Sequence, residues 1–135
     1  MRRERFFDLL NELLLLEQLS VAAVERRLEV VLARVDAGGR LELHEASAPD
    51  LGLDLVQLRR PRDPTGVDRA QLSLSVAFDL PLLEVALRFP DLCPCSWSLA
   101  GVTYRCLVAS DAADVIWIEA VRRLVRRVTI DRSGR

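Results

Sequence analysis

Apolar residues recur along this chain with two periods, and the change from one to the other predicts where helix gives way to strand. From Arg3 to Leu19 neither glycine nor proline interrupts a run dominated by Leu, Glu, Arg and Gln, all good helix formers. At ~100° per residue, Phe6, Phe7, Leu9, Leu10, Leu13, Leu14 and Leu16 cover roughly half the circumference of that helix. Leu15 and Leu19 fall outside the arc. A stripe this wide predicts contact with the helix's own domain and with a second surface. Residues 20–25 read as either a further helical turn or a linker.

Beyond Arg27 the period shortens to two. Leu28, Val30 and Leu32 alternate with Glu29, Val31 and Ala33, as a half-buried strand does. Val21, Val24, Leu28, Val31 and Val35 also fit a helical face. The pair Gly38-Gly39, followed by Leu41 and Leu43 alternating with Glu42 and His44, favours a hairpin. Leu53 and Leu55 open a third strand. The segment Arg59–Pro64, followed by Thr65-Gly66, reads as a loop from its two prolines and glycine. Leu72, Leu74, Val76 and Phe78 then alternate with Ser73, Ser75 and Ala77. After Pro81, Leu83, Val85, Leu87 and Phe89 alternate with Glu84, Ala86 and Arg88. Val102, Tyr104, Cys106 and Val108 complete a sixth strand. A closing helix is predicted, capped by Ser110 or Asp111, with Ile118, Val121, Val125 and Val128 on one face and Arg122, Arg123, Arg126 and Arg127 in its last turns. The predicted class is mainly β with helices: a six-stranded antiparallel barrel or curled sheet flanked by an N-terminal and a C-terminal helix.

The length of 135 residues suits one domain. We divide it into a helical extension (1–24), a β domain with its helix (25–130) and a tail (131–135). A net charge of −1 provides no long-range field for polyanions, which argues against a nucleic-acid polymer as partner. Apolar runs such as Leu13–Leu16 are far shorter than the ~20 residues a bilayer requires, so no membrane insertion is expected. All 19 basic residues are arginine, which reads first as codon bias of a GC-rich genome. An odd number of cysteines and no leader-like segment favour a reducing, cytoplasmic setting.

Chemistry-bearing patterns are few. Cys93-Pro-Cys95 lacks the usual spacing of a zinc pair, and only Cys106 and His44 remain to complete four ligands, so no metal site is expected. His44 is the sole histidine, and no nucleophile elbow, P-loop or GxGxxG stands in the chain. The expectation is a non-enzyme without a cofactor.

The strand order resembles that of PilZ domains over about Glu25 to Arg127: a basic lead-in at Glu25-Arg26-Arg27, a first strand, then Glu45-Ala46-Ser47-Ala48-Pro49-Asp50 leading into Leu53. The resemblance implies a six-stranded barrel with a C-terminal helix and, in many members, binding of the bacterial second messenger cyclic di-GMP. The family grips that ligand with an RxxxR segment and a DxSxxG turn. Here the corresponding positions are Arg26 or Arg27 and Glu45, Ser47 and Asp50. Ala22 or Ala23 stands where the first arginine belongs, Glu45 replaces the aspartate, and Asp50 replaces the glycine. The eroded motif implies a signalling adaptor for motility, pili or biofilm that works through protein contacts, with weak or absent cyclic di-GMP binding. A genuine cyclic di-GMP receptor is the alternative. A small secretion chaperone or toxin-immunity protein is the second. The wide apolar face of the first helix, centred on Phe6, Phe7, Leu10, Leu13 and Leu14, is the expected surface for a protein partner or for self-association.

Overall fold

The computed structural model describes residues 2–35, 39–62, 69–98, 101–107 and 114–132. Gly38, Pro64–Gly66, Val108, the Ser110 or Asp111 cap and residues 133–135 of the expected tail lie outside these. Among the described residues the chain forms helices α1 (Arg2–Leu14), α2 (Val21–Leu28) and α3 (Leu82–Arg88). The strands are β1 (Ala33–Arg34), β2 (Leu41–Ala48), β3 (Leu53–Pro61), β4 (Gln71–Val76), β5 (Cys93–Ser98), β6 (Gly101–Leu107), β7 (Val115–Val121) and β8 (Leu124–Asp131). A 3-10 turn, Pro49–Leu51, links β2 to β3.

All eight strands belong to one open antiparallel sheet with the order β1-β2-β3-β4-β8-β7-β6-β5. The expected mainly β, antiparallel character holds, but the expected closed barrel of six strands does not. Two four-stranded meanders, β1–β4 and β5–β8, meet where their last strands β4 and β8 pair, with Ser73 opposite Thr129 and Leu74 opposite Val128. The connection through α3 carries the chain from the centre of the sheet to its far edge, so β1 and β5 are left as edges.

Three predicted elements change type. Residues 21–28 are a helix. Ser20 caps it by accepting the Ala23 N–H at 3.1 Å, Arg26 and Arg27 lie in its last turn, and Glu29 ends it at φ 55°. Leu28 therefore belongs with Val24 on a buried helical face, and only Ala33 and Arg34 remain of the first expected strand. β1 still pairs antiparallel with β2, Arg34 opposite His44, while Gly38 of the expected hairpin turn lies outside the described residues.

Residues 82–88 are also a helix. Leu, Glu, Ala and Arg favour it, and Leu82, Val85, Ala86 and Phe89 share one side while Leu83 and Leu87 face solvent. Alternation at Leu83, Val85 and Leu87 fits a strand equally well over so short a span.

The largest correction concerns the C-terminus. Residues 115–131 form the β7–β8 hairpin, not a helix. Ile116, Ile118 and Ala120 alternate inward on β7, and β-branched Val and Ile fit a pleated surface better than a helix. The helical spacing of Ile118, Val121, Val125 and Val128 was coincident with two strand faces joined across a turn. Two further departures are smaller: β3 extends through Arg59 and Arg60 to Pro61, where a loop was expected, and Cys93–Ser98 forms β5, where no strand was expected.

The core lies between one face of the sheet and the three helices. Leu53, Val56, Leu58, Leu72, Leu74, Ile116, Ile118, Val128 and Ile130 meet Phe6, Phe7, Leu10, Leu13, Leu19, Val24, Leu28 and Val85 in a single cluster. Phe6 stands edge-on to Phe7 and to Phe78, each at 5.7 Å between ring centroids. The stretch expected as an extension thus supplies much of the core. A buried ion pair fastens it: Arg132 Nε lies 3.4 Å from Asp114 Oδ2, while Arg132 Nη2 donates to the Leu14 carbonyl at 3.1 Å. This joins the end of β8 to the C-terminus of α1, where the dipole favours a cation.

Candidate binding surfaces

Two adjoining grooves open where α1, α2 and the 3-10 turn converge. One is lined by Arg5, Asp8, Leu9, Glu12, Arg27, Leu28, Glu29 and Leu51. The other shares Arg5, Leu28, Glu29 and Leu51 with it and adds Val30, Val31, Ser47, Ala48, Pro49 and Asp50. The expected ligand residues are therefore only partly assembled. Arg27 reaches the first groove, and Ser47 and Asp50 the second. Arg26 lines neither and is exposed on α2. Glu45 is on the other side of the sheet: it accepts from Gln57 Nε2 at 2.7 Å, while its neighbour Ala46 pairs with buried Val56.

Charge in the grooves opposes an anionic dinucleotide. Asp8, Glu12, Glu29 and Asp50 outnumber Arg5 and Arg27, and Arg27 Nη1 already faces Glu12 Oε2 at 3.8 Å. Two phosphates entering here would meet a net negative wall at close range, where water and salt screen least. The glycine that permits the tight turn is Gly52, two positions beyond Asp50. Its φ is 74°, and a Cβ there would stand 2.7 Å from Phe78 Cδ1.

The expected interaction face of α1 is occupied. Phe6, Phe7, Leu10 and Leu13 are buried in the chain's own core, and Leu14 packs against it. The Arg88 guanidinium covers the Phe7 ring at 4.1 Å, and Arg3 bridges to Glu84 at 2.6 Å and donates to the Asp79 carbonyl. An eight-stranded sheet whose inner face is apolar over its central strands needs this much helix to cover it, so the breadth of the stripe reflects the breadth of the sheet.

Cysteine and histidine chemistry is muted. Cys93 and Cys95 are exposed, and Cys106 is buried. Burial, then the Asp91 carboxylate and Cys93, push the Cys106 thiol up, which keeps it protonated and unreactive. His44 Nε2 stands 3.4 Å from Glu42 Oε2. Among the described residues no three His, Cys, Asp or Glu side chains are grouped to hold a metal ion, and no helix is long and apolar enough to cross a membrane.

The sheet's outer face is different. Register places Glu45, Gln57, Ser73, Thr129, Trp117 and Arg105 in one row across six strands. Hydrogen bonds link Gln57 to Glu45, Ser73 to Thr129 at 2.9 Å, and Trp117 Nε1 to Asp131 Oδ2 at 3.2 Å. Leu55, Val115, Trp117 and Val121 add half-buried apolar surface to this face. None of the described helices lies over it; the core cluster draws all three to the opposite side. Sequence reasoning missed this face because its residues are the polar partners of the strand alternation, which ordinarily read as solvent-facing.

No family model, curated protein or solved structure matches the chain.

Proposed function

We propose that this chain is a non-catalytic module that acts by protein–protein contact through the outer face of its sheet, and that it does not respond to cyclic di-GMP. The observation that carries the reading is the one-sided fold. The sheet's inner face takes up the apolar α1 face, and the described residues leave uncovered a broad row of polar groups that includes one aromatic, Trp117. Interfaces of this kind favour rigid, half-buried aromatics ringed by polar groups. The dispersal of Arg26, Arg27, Glu45, Ser47 and Asp50, and the acidity of the grooves, support an adaptor over a receptor. An adaptor in PilZ-type signalling and a small chaperone or immunity protein would both use such a surface. The open sheet backed by helices on one side favours the latter setting, because a barrel and its closing helix are what a PilZ adaptor would need.

Photo-crosslinking in the host cell tests the reading. A crosslinking amino acid at Ser73 or Gln57 should yield a discrete adduct, and one at Leu87 on α3 should not. Adducts from Leu87 alone would refute it. Calorimetric titration with cyclic di-GMP should show no binding; a saturable isotherm abolished by Arg27→Ala would instead establish a receptor.

A further inference from the structure

Within the six residues Val121–Arg126, two arginines occupy left-handed turn positions that ordinarily take Asn or Gly, and a bulge adds a third exposed arginine. Val121 pairs with Leu124, so Arg122 and Arg123 are the two central residues of the β7–β8 turn. Both have positive φ, 53° and 66°. Turns of this kind are ordinarily built from Asn-Gly or Gly-Gly, because a Cβ is disfavoured at those angles. Farther along, Ala120 pairs with Val125 but Glu119 pairs with Arg127. Arg126 is therefore an extra residue in β8, and such a bulge re-aims side chains. Arg126 and Arg127 are consecutive in a strand, yet both are exposed.

The tip is held firmly from behind. The Leu82 N–H donates to the Arg123 carbonyl at 2.9 Å, the Val125 N–H donates to the Leu80 carbonyl at 2.8 Å, and Pro81 bridges to Leu124. Beside it is a concavity of about 360 Å³ lined by Asp54, Ser75, Val76, Glu119, Val121, Arg126 and Arg127. Arg127 Nε is 3.2 Å from Glu119 Oε2, so this arginine is already matched. Asp54 adds a second carboxylate. Arg122, Arg123 and Arg126 form no ion pair among the described residues. The patch as a whole is positive although the protein's net charge is −1.

We propose that this hairpin tip and the concavity beside it are a docking site for an acidic, extended segment of a protein partner. The inference rests on the protein-binding reading above and names the chemistry of the partner. Guanidinium groups recognise carboxylates by paired N–H donors, and a rigid tip loses little freedom on binding. Local strain at arginines, where a strain-free turn sequence exists, is accounted for by a role of the side chains outside the fold.

The test uses the full chain and a short fluorescein-labelled peptide of alternating Asp and Glu, read by fluorescence anisotropy at about 0.1 M salt. An Asn/Gln peptide of equal length and single-stranded oligouridine serve as comparisons. The double variant Arg122→Asn/Arg123→Gly removes two charges and suits the turn better, so its thermal midpoint should hold or rise. Its affinity for the acidic peptide should fall by at least about tenfold, as should that of Arg126→Glu. The proposal is overturned if the neutral peptide binds equally, if oligouridine binds more tightly, or if the double variant binds like the parent. Crosslinking at Ser73 separates the two readings. Adducts that persist in the double variant, with no binding of the acidic peptide by the parent chain, sink the tip and leave the sheet face. Peptide binding lost in the double variant, with no adduct from the sheet, sinks the broader reading and leaves the tip.

Discussion

Replacing Phe6 by Ala tests whether α1 belongs to the core or serves as a contact arm. Phe6 is 1% exposed and stands edge-on to both Phe7 and Phe78 at 5.7 Å. Truncating a buried phenylalanine costs about 3–5 kcal/mol, from lost transfer energy and the cavity left behind. The two ring contacts place this site toward the upper half of that range, since each aromatic pair adds about 0.5–1.5 kcal/mol beyond its area. A domain has only about 5–15 kcal/mol in total, so the variant should retain a cooperative but much weakened fold. With a urea m-value of about 2 kcal/mol per molar, the midpoint should fall by about 2 M. Urea denaturation followed by far-UV circular dichroism measures this directly. Leu15→Ser is the control: Leu15 is 84% exposed, and its loss should change stability by less than about 0.5 kcal/mol. A Phe6→Ala cost below about 1 kcal/mol, comparable with that control, would mean that α1 does not close the core, and the argument that its apolar face is spent would fail.

Other predictions concern local devices of the fold. Arg132→Met should destabilise by about 3–5 kcal/mol, because it leaves Asp114 buried at 3% exposure without its cation, and Asp114→Asn in the same chain should recover part of the loss in a thermal melt. Gly52→Ala should cost about 1–3 kcal/mol through positive φ and the clash with the Phe78 ring, and Phe78→Leu should relieve the steric share in a double-mutant cycle. The raised Cys106 thiol binds its proton more tightly in the folded chain than in the unfolded one, so its contribution to stability is present below the ordinary thiol range and declines as pH rises through it. Cys106→Val should flatten that alkaline decline in urea midpoints measured across pH. In native protein, Cys93 and Cys95 should react with a thiol reagent well before Cys106.

Legibility in the sequence followed element length and context. The first helix was clear because thirteen residues, Arg2–Leu14, carry an unbroken helical stripe. Strands β3, β4 and β6 were clear because strict alternation continues at Leu72, Leu74 and Val76 and again at Val102, Tyr104 and Cys106. Short elements were not. Residues 82–88 contain both a period-two and a helical pattern, and seven residues are too few to separate them. The β7–β8 hairpin was hidden by its turn, since Arg122-Arg123 has none of the glycine or asparagine that marks such a reversal. The candidate site fared worse than the fold. Arg27 lines one groove and Ser47 and Asp50 the adjoining one, whereas Glu45 lines neither and pairs with Gln57 instead. Period two alone would put Glu45 and Ser47 on one face, but the register shift between Ala46 and Ala48 falls between them.

By itself, the order of apolar and polar residues determined that this protein is mainly β, with a long amphipathic helix at its start and an apolar half that must be buried. Local patterning suffices for that, because burial acts residue by residue. Only the tertiary structure decided what the helix covers. The wide stripe around Phe6 and Leu13 meets the chain's own sheet because β4 and β8 join two meanders into a surface broad enough to need it. The same pairing leaves the opposite face open and brings Ser73 beside Thr129, 56 positions apart in sequence. Such contacts depend on strand order and register across the whole sheet, which no local period encodes.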